Sequence, residues 1–195
     1  KMMDMGFMPQ IRQILEKIPY KKRQNGLFSA TFPEKVENLS HEFLEFPHKI
    51  EVMPQATPAS QVTQFVYEAQ NVQTKLNALA HFLQNPEFER VMIFCRSKDI
   101  VNQVEKYLSF RVVPVDQSRV IHSNKGQNTR INAMQQFREG SIRVLVTTDV
   151  ASRGIDIPKV SHVINFDVPL IYEDYVHRIG RTGRAEQVGE SITFI

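Results

Sequence analysis

Residues 91–110, VMIFCRSKDIVNQVEKYLSF, contain the unit from which the fold can be predicted. The apolar run 91–95 predicts a strand buried on both faces, because no polar residue alternates with its apolar ones. Ser97 is placed to cap a helix that starts at Lys98 and runs to about Phe110. The inward positions of that helix, at three- and four-residue spacing, are Ile100, Val101, Val104, Tyr107 and Leu108.

The same alternation of short apolar runs and helical patterns continues through the C-terminal two thirds of the chain. Strands are predicted at 62–68, 91–95, 119–122, 143–148, 160–167 and 190–195, and helices at 74–84, 98–110, 129–138 and 172–179. Apolar strands separated by helices are typical of a parallel sheet with helices on both faces. We therefore predict the α/β class, with an open parallel sheet. The domain has about 135 residues, which is a usual domain size.

The first 53 residues are a different kind of segment. Residues 54–61, PQATPASQ, have two prolines and no charge, which indicates an interdomain linker. Before the linker, helices are predicted at 9–17 and 34–46, and strands at 26–29 and 49–53. This is too little core for an independent domain, so 1–53 is interpreted as the C-terminal remnant of another α/β domain and 62–195 as a second domain. The chain is accordingly expected to be a piece of a longer protein.

Composition excludes several classes of protein. The sequence is 42% hydrophobic and 23% charged, as in a globular protein, and its apolar runs are too short to cross a membrane. Asp4 interrupts the stretch where a secretory signal would be apolar, so a cytoplasmic protein is expected. Cys95 is the only cysteine, which excludes an internal disulfide, and no metal site is predicted. The net charge of +3 is too small to indicate a polyanionic partner by itself.

Basic residues are nevertheless concentrated in one part of the chain. Between residues 111 and 184 there are 11 Lys and Arg against 7 Asp and Glu, which favours a phosphate-bearing ligand. The densest stretch is HRIGRTGR, 177–184, where glycines allow a close backbone approach and guanidinium groups match phosphate oxygens. Arg181 and Arg184 have no acid at helical spacing, so they are interpreted as phosphate ligands.

The other two basic residues of this stretch have a second interpretation. Arg178 and His177 follow Asp174 and Glu173 by four residues, which is the spacing of ion pairs on a helix surface. An ordinary exposed basic helix end therefore explains them as well as a ligand does.

Five motifs, in this order, resemble those of the DEAD-box ATP-dependent RNA helicases. They are FSAT at 28–31, VMIFCRSK at 91–98, QNTR at 127–130, TTDVASRGID at 147–156 and HRIGRTGR at 177–184. The opening KMMDMGF also resembles the segment that follows the family's Asp-Glu-Ala-Asp tetrad. The resemblance covers essentially all 195 residues and implies RecA-like domains, with 1–53 the end of the first and 62–195 the second.

The sequence also departs from the family's pattern. It has no Gly-Lys-Ser or Gly-Lys-Thr, so the P-loop that cradles ATP phosphates is missing, and no Asp-Glu dipeptide, so the tetrad that holds Mg²⁺ is missing too. The resemblance thus implies ATP and Mg²⁺ as ligands of a complete enzyme that unwinds or remodels RNA duplexes. This chain alone contributes no Mg²⁺ ligand and is expected not to hydrolyse ATP.

By resemblance, the second domain supplies groups to ATP that the first domain binds. Arg181 and Arg184 are implied to be arginine fingers that neutralise charge on the γ-phosphate in the transition state. Asp156, after the turn at Gly154, is implied to accept hydrogen bonds from the ribose hydroxyls. A local ion pair with Lys159 is the alternative for Asp156.

The family's contacts to the RNA sugar-phosphate backbone are also implied. They fall on Arg96, Gly126, Gln127, Arg130 and Thr148. Such contacts position a strand without reading its sequence, so RNA binding is expected to be weak, sequence-tolerant and salt-sensitive. Without the resemblance, the residues themselves favour a solvated helix face for Arg130 and Gln127.

Coupling between the domains is implied for Ser29, Thr31, His177 and Arg178. The acids that Ser29 and Thr31 would contact are missing from this chain. A turn and the cap of the helix that begins near Glu34 is therefore the favoured interpretation of Thr31.

Other functions stay open. A DNA-directed helicase would grip the backbone in the same way unless 2′-hydroxyls are contacted, and a binding module would need no turnover. Self-association is also expected, through the unpaired edges of the strands predicted in 1–53.

Overall fold

The computed structural model consists of two compact units, Lys1–Met53 and Pro54–Ile195. The structure describes all residues except 1–6, 20, 22, 30–33, 52–61, 153–159 and 184–187. The predicted linker, 54–61, lies outside the described residues.

The smaller unit contains the helices α1 (Met8–Lys17) and α2 (Glu34–Phe43). The two helices are joined by a charged pair, in which Arg12 Nε donates to Glu42 Oε1 at 2.9 Å. The bond to Glu42 raises the pKa of the Arg12 guanidinium. Helix α2 ends before the predicted residue 46, where Phe46 adopts a φ of 44° that a helix does not allow.

The two strands predicted in this unit are wrong for the residues that the structure describes. Residues 26–29 and 49–51 form no strand, while positions 52 and 53 lie outside the described residues. A strand of a parallel sheet needs a hydrogen-bonded neighbour, and the described part of this unit offers none. The apolar side chains of Phe28, Phe46 and Ile50 are consequently exposed.

The larger unit is built on a six-stranded sheet whose strands are all parallel. The strands are β1 (Val62–Tyr67), β2 (Val91–Cys95), β3 (Ser118–Ile121), β4 (Val144–Thr148), β5 (His162–Asn165) and β6 (Gly189–Phe194). They lie side by side in the order β1-β6-β5-β2-β4-β3. The helices are α3 (Val72–Gln84), α4 (Lys98–Arg111), α5 (Gln127–Glu139), α6 (Asp149–Ser152) and α7 (Tyr172–Ile179), and a 3₁₀ turn spans Val115–Gln117. The predicted α/β class with an open parallel sheet is confirmed.

Separate sets of side chains bury the two faces of this sheet. On β2, Val91, Ile93 and Cys95 pack into one cluster with side chains of α3 and α4. The alternate residues Met92 and Phe94 pack into a second cluster with side chains of α5. The continuous apolar run of β2 thus reflects burial on both faces.

No helix within the described ranges combines the length and apolarity needed to span a membrane.

Helix ends explain where the predicted bounds hold and where they shift. Ser97 Oγ accepts a hydrogen bond from the Ile100 backbone at 3.3 Å, as expected for the N-cap of α4. Gly140 ends α5 with a φ of 84°, a left-handed conformation that glycine adopts without strain. The sequence does not predict α6, because a single turn is too short to show periodicity.

We expect Ile93→Ala to lower the free energy of unfolding by about 2–5 kcal/mol, because truncating a fully buried side chain leaves a cavity. Ile131 on α5 is 51% exposed, so Ile131→Ala is the matched control, with an expected loss below about 1 kcal/mol. Urea unfolding followed by circular dichroism measures both. Equal losses would contradict the placement of β2 in the core.

Candidate functional site

The carboxyl ends of the central strands carry several of the candidate residues. Cys95 at the end of β2 pairs in register with Thr148 at the end of β4. Arg96 and Asp149 therefore leave the sheet at the same level on neighbouring strands. Ligands of open parallel sheets collect at this edge, so the register places Arg96 and Thr148 where the sequence predicts them.

Helix α5 begins at the same edge, after β3. A side chain at Gly126 would come no closer than 4.0 Å to its nearest neighbour, Thr129 Oγ1, so the backbone here is open to a ligand. Arg130 Nη1 donates to Gln127 Oε1 at 3.2 Å, and Nη2 donates to the carbonyl of Ala151 on α6 at 3.5 Å. These bonds connect the start of α5 to the helix that follows β4.

Three segments that are distant in sequence thus meet at adjacent strand ends. We name this set the strand-end row, and its members are Arg96, Gly126, Gln127, Arg130 and Thr148. Arg96, Gly126 and Gln127 are exposed, and Arg130 and Thr148 are half-buried. The row combines guanidinium, amide, hydroxyl and open backbone donors, which are the groups that contact phosphates and sugars.

Arg178 on α7 is 2% exposed and lies at the centre of a buried polar network. Its Nε and Nη2 donate to the two carboxylate oxygens of Asp149 at 2.6 and 2.7 Å. Its Nη1 donates to Asn165 Oδ1 at 3.3 Å and to the carbonyl of Asp167 at 2.6 Å. The guanidinium carbon is also 5.3 Å from the centre of the Phe94 ring. Side-chain and backbone oxygens from the ends of two strands therefore satisfy one buried charge.

The interpretation of Arg178 as an exposed residue paired with Asp174 is wrong. Helical spacing considers only neighbours on the same helix, whereas the Arg178 side chain reaches Asp149 after β4. Burial makes this pair structurally important, because removing one partner leaves an uncompensated charge in a site with little water.

Asp167 connects this network to the strand-end row. Its Oδ2 accepts a hydrogen bond from the Arg96 backbone at 3.0 Å, and its Oδ1 is 3.9 Å from Arg96 Nε. The Arg96 side chain is 72% exposed, so its guanidinium can meet a ligand while its backbone is held.

Burial raises the pKa of the neighbouring Cys95 thiol, which therefore stays protonated and is not a nucleophile.

The turn after α7 lies at the opposite end of the sheet from the strand-end row. Thr182 Oγ1 donates to the carbonyls of Val160 and Ser161, just before β5, at 2.5 and 3.0 Å. Gly189 at the start of β6 admits no side chain, because a Cβ would lie 2.2 Å from Thr182 Oγ1. Arg181, beside Thr182, is half-buried. The structure therefore does not bring Arg181 to the strand-end row.

Several candidate residues lie outside the described residues, namely Thr31, Gly154, Asp156 and Arg184. Ser29 is exposed in the smaller unit, and His177 is half-buried on α7. Within the part of the chain that the structure describes, no three His, Cys, Asp or Glu residues lie close enough to hold a metal ion. The described residues therefore offer no cluster that fits Mg²⁺.

The sequence pattern does not single out Asp149, Asn165 and Asp167 as members of a common network. Each lies at or just after the end of an apolar strand. Polar residues at the ends of parallel strands gather at one edge of the sheet, and this position is the signal by which they can be found.

Known proteins match this chain in sequence and in fold. The family model of the helicase conserved C-terminal domain matches residues 74–186. The ATP-dependent RNA helicase RhlB of Pseudomonas syringae pv. tomato is 44% identical over 195 residues, which is 100% of this chain and 48% of that protein. DbpA of Bacillus subtilis, an ATP-dependent RNA helicase, is 39% identical over 100% of this chain and 40% of its own length. The chain spans about half the length of these relatives.

A solved structure extends the comparison to the fold. The structure of S. cerevisiae Dbp5 bound to RNA and ADP BeF3 matches with a TM-score of 0.81 and 30% identity. The match covers 97% of this chain and 49% of that chain.

Asp149→Ala is expected to lower the free energy of unfolding by about 3–5 kcal/mol, because it leaves the buried Arg178 charge without its carboxylate. Arg96→Gln is the control, since the exposed Arg96 side chain is 3.9 Å from Asp167 and its loss should cost less than about 1 kcal/mol. Chemical denaturation measures both variants. A cost for Asp149→Ala no larger than that of the control would show that Arg178 does not depend on this pair.

Proposed function

This chain belongs to the DEAD-box RNA helicases, as a helicase conserved C-terminal domain with the segment before it, and we propose that it works as part of an ATP-dependent RNA helicase. In this proposal the Pro54–Ile195 unit is the second RecA-like domain and the Lys1–Met53 unit is the end of the first. ATP and Mg²⁺ would be held mainly by a P-loop and an acidic tetrad that this sequence does not include. The chain by itself is then inactive as an ATPase.

The observation that carries the proposal is the strand-end row. Strands β2, β4 and β3 are direct neighbours, so the row crosses three adjacent strand ends. A line of donors suits the repeating phosphates and sugars of one RNA strand and does not read its bases. We therefore assign the strand-end row to the RNA backbone, with binding that tolerates sequence.

The nucleotide is assigned to the other set of candidate residues. Arg181 and Arg184 would neutralise the γ-phosphate of ATP as the transition state forms, and Gly154 and Asp156 would hold its ribose. The anchored turn at Thr182 supports this assignment, because it fixes the backbone next to Arg181. RNA and ATP would then meet different parts of the same domain.

Coupling between these parts would pass through the buried network. Arg178 lies on the helix that leads to Arg181, and it holds Asp149, the residue after Thr148. His177, Ser29 and Thr31 are assigned to contacts between the two domains. If ATP and RNA both favour the closed arrangement of the domains, each strengthens the binding of the other, and hydrolysis reopens the cleft.

Two further expectations stay predictions. The cytoplasmic location expected from the sequence is the first of them. The second is self-association. Because residues 26–29 and 49–51 form no strand, it is expected through the exposed side chains of Phe28, Phe46 and Ile50 instead of through strand edges.

Arg96→Ala and Arg130→Ala should each weaken binding of a short oligouridine and reduce the slope of log affinity against log salt by about 0.7, because each removes one contact to a phosphate of a single strand. Arg138→Ala is the matched control, since Arg138 is an exposed arginine in the last turn of α5, away from the strand-end row. Fluorescence anisotropy between about 50 and 200 mM salt measures the slopes. Unchanged slopes in both variants, or an equal change in the control, would contradict the assignment. Equal affinity for an oligodeoxythymidine would instead favour the DNA-directed alternative.

In a complete protein that carries a P-loop domain before this chain, Arg181→Ala and Arg184→Ala should each lower RNA-stimulated kcat by about 10³-fold or more. The reason is the loss of a guanidinium that stabilises transition-state charge. Phosphate release at saturating RNA measures the effect, and Arg138→Ala should keep the wild-type rate. Wild-type release in both variants would remove the arginine-finger assignment and leave the RNA assignment untouched.

A further inference from the structure

His122 is the first residue after β3 and is only 4% exposed. Its ring Nδ1 accepts a hydrogen bond from the Asn124 backbone at 3.3 Å, and its Nε2 is 3.2 Å from Asn102 Oδ1 on α4. The carbonyl of His122 accepts a second backbone bond, from Lys125 at 3.1 Å. One buried residue therefore organises the turn 122–125, and the next residue is Gly126 of the strand-end row.

The hydrogen bonds define the protonation state of this ring. A backbone N–H can only donate, so Nδ1 carries no proton, and an amide oxygen can only accept, so Nε2 carries one. The imidazole is therefore neutral, with a single tautomer that satisfies both partners.

The surroundings of His122 favour the neutral ring. Burial lowers the pKa of His122, and the nearby Lys125 lowers it further. The charged groups that face it from α4 are Lys98, which also lowers the pKa, and Glu105 and Asp99, which raise it.

We propose that His122 is a positioning residue for RNA binding, whose neutral ring holds the turn 122–125 so that Gly126 and the start of α5 meet the RNA backbone. The inference rests on the proposed function, because it concerns the same strand-end row. The Arg130 backbone N–H donates a hydrogen bond to the Gly126 carbonyl at 3.1 Å, so a displacement of Gly126 also displaces Arg130. His122 itself is buried and acts only through these neighbours.

Protonation of His122 should make RNA affinity depend on pH. A proton on Nδ1 would replace the acceptor by a donor that faces the Asn124 N–H, so the bond would break. The folded turn holds the pKa of His122 below its ordinary value, so a loosened turn binds the proton more readily than the folded one. Acid therefore favours the loosened turn, and RNA affinity should fall as the pH drops below the ordinary histidine value of about 6.5.

Two substitutions separate the hydrogen bonds of the ring. In His122→Asn the side-chain oxygen takes the place of Nδ1 and can still accept from Asn124, while the bond to the exposed Asn102 is lost. In His122→Gln the longer amide takes the place of Nε2 and keeps the Asn102 bond, while the acceptor for Asn124 is lost. The proposal predicts near wild-type RNA affinity for His122→Asn and an affinity about 3- to 10-fold lower for His122→Gln, as for one lost hydrogen bond.

Anisotropy titrations of the 195-residue chain with a labelled oligouridine provide the readout, with thermal unfolding of each variant measured beside them. His162→Asn is the control for the loss of a buried histidine. His162 is the first residue of β5, away from the strand-end row, and its ring stacks on Phe88. This variant should therefore lose stability and keep its RNA affinity.

The pH dependence supplies a second readout that a merely structural role would not move. Wild-type affinity should fall in acid, whereas His122→Asn should lack that part of the dependence, because its acceptor does not titrate. Equal affinity of wild type and His122→Gln, a loss in His122→Asn as large as in His122→Gln, or an unchanged pH dependence in His122→Asn would each overturn the inference. If the wild-type chain binds no RNA, or if Arg96→Ala and Arg130→Ala leave its binding unchanged, the proposed function fails first and takes the inference with it.

Discussion

The ion pair between Arg178 and Asp149 is the interaction on which the geometry of this domain depends. A guanidinium that is 2% exposed needs every donor satisfied, and the oxygens that satisfy it come from residues at or just after the ends of β4 and β5. The pair therefore ties α7 to two strand ends at once. Two carboxylate oxygens matched to two guanidinium nitrogens also fix the angle of contact, which a lysine in the same place would not do.

This constraint connects two surfaces that would otherwise be independent. The strand-end row lies where β2, β4 and β3 end, and the turn with Arg181 lies beside the start of β5. Asp149 follows a member of the row, and Arg178 lies three residues before Arg181. A displacement at either surface that shifts the Arg178–Asp149 pair would also displace residues of the other surface, through a few contacts. This is the structural basis of the coupling proposed between RNA and ATP.

The sequence was sufficient to predict the parallel sheet because the central strands are apolar throughout and helices separate them. The failures have physical reasons. The strands expected at 26–29 and 49–51 do not form because a strand requires partners, and local apolarity says nothing about whether partners are present. The surface pairing of Arg178 with Asp174 failed because spacing along a helix ignores what packs against it. Gly154, Asp156 and Arg184 lie outside the described residues, so the roles that the basic stretch and the family resemblance give them stay predictions.

In the proposed function, the carboxyl edge of the sheet receives the RNA backbone. Chemical-shift mapping of the isotope-labelled chain with a short oligouridine tests it most directly, because every backbone amide reports its own environment. RNA bound at this edge should shift the amides of the strand-end row, namely Arg96, Gly126, Gln127, Arg130 and Thr148. The amides at the opposite edge, around Ser141 and Arg143, should not shift. Shifts concentrated at the opposite edge, or an absence of shifts at RNA concentrations that saturate binding, would contradict it.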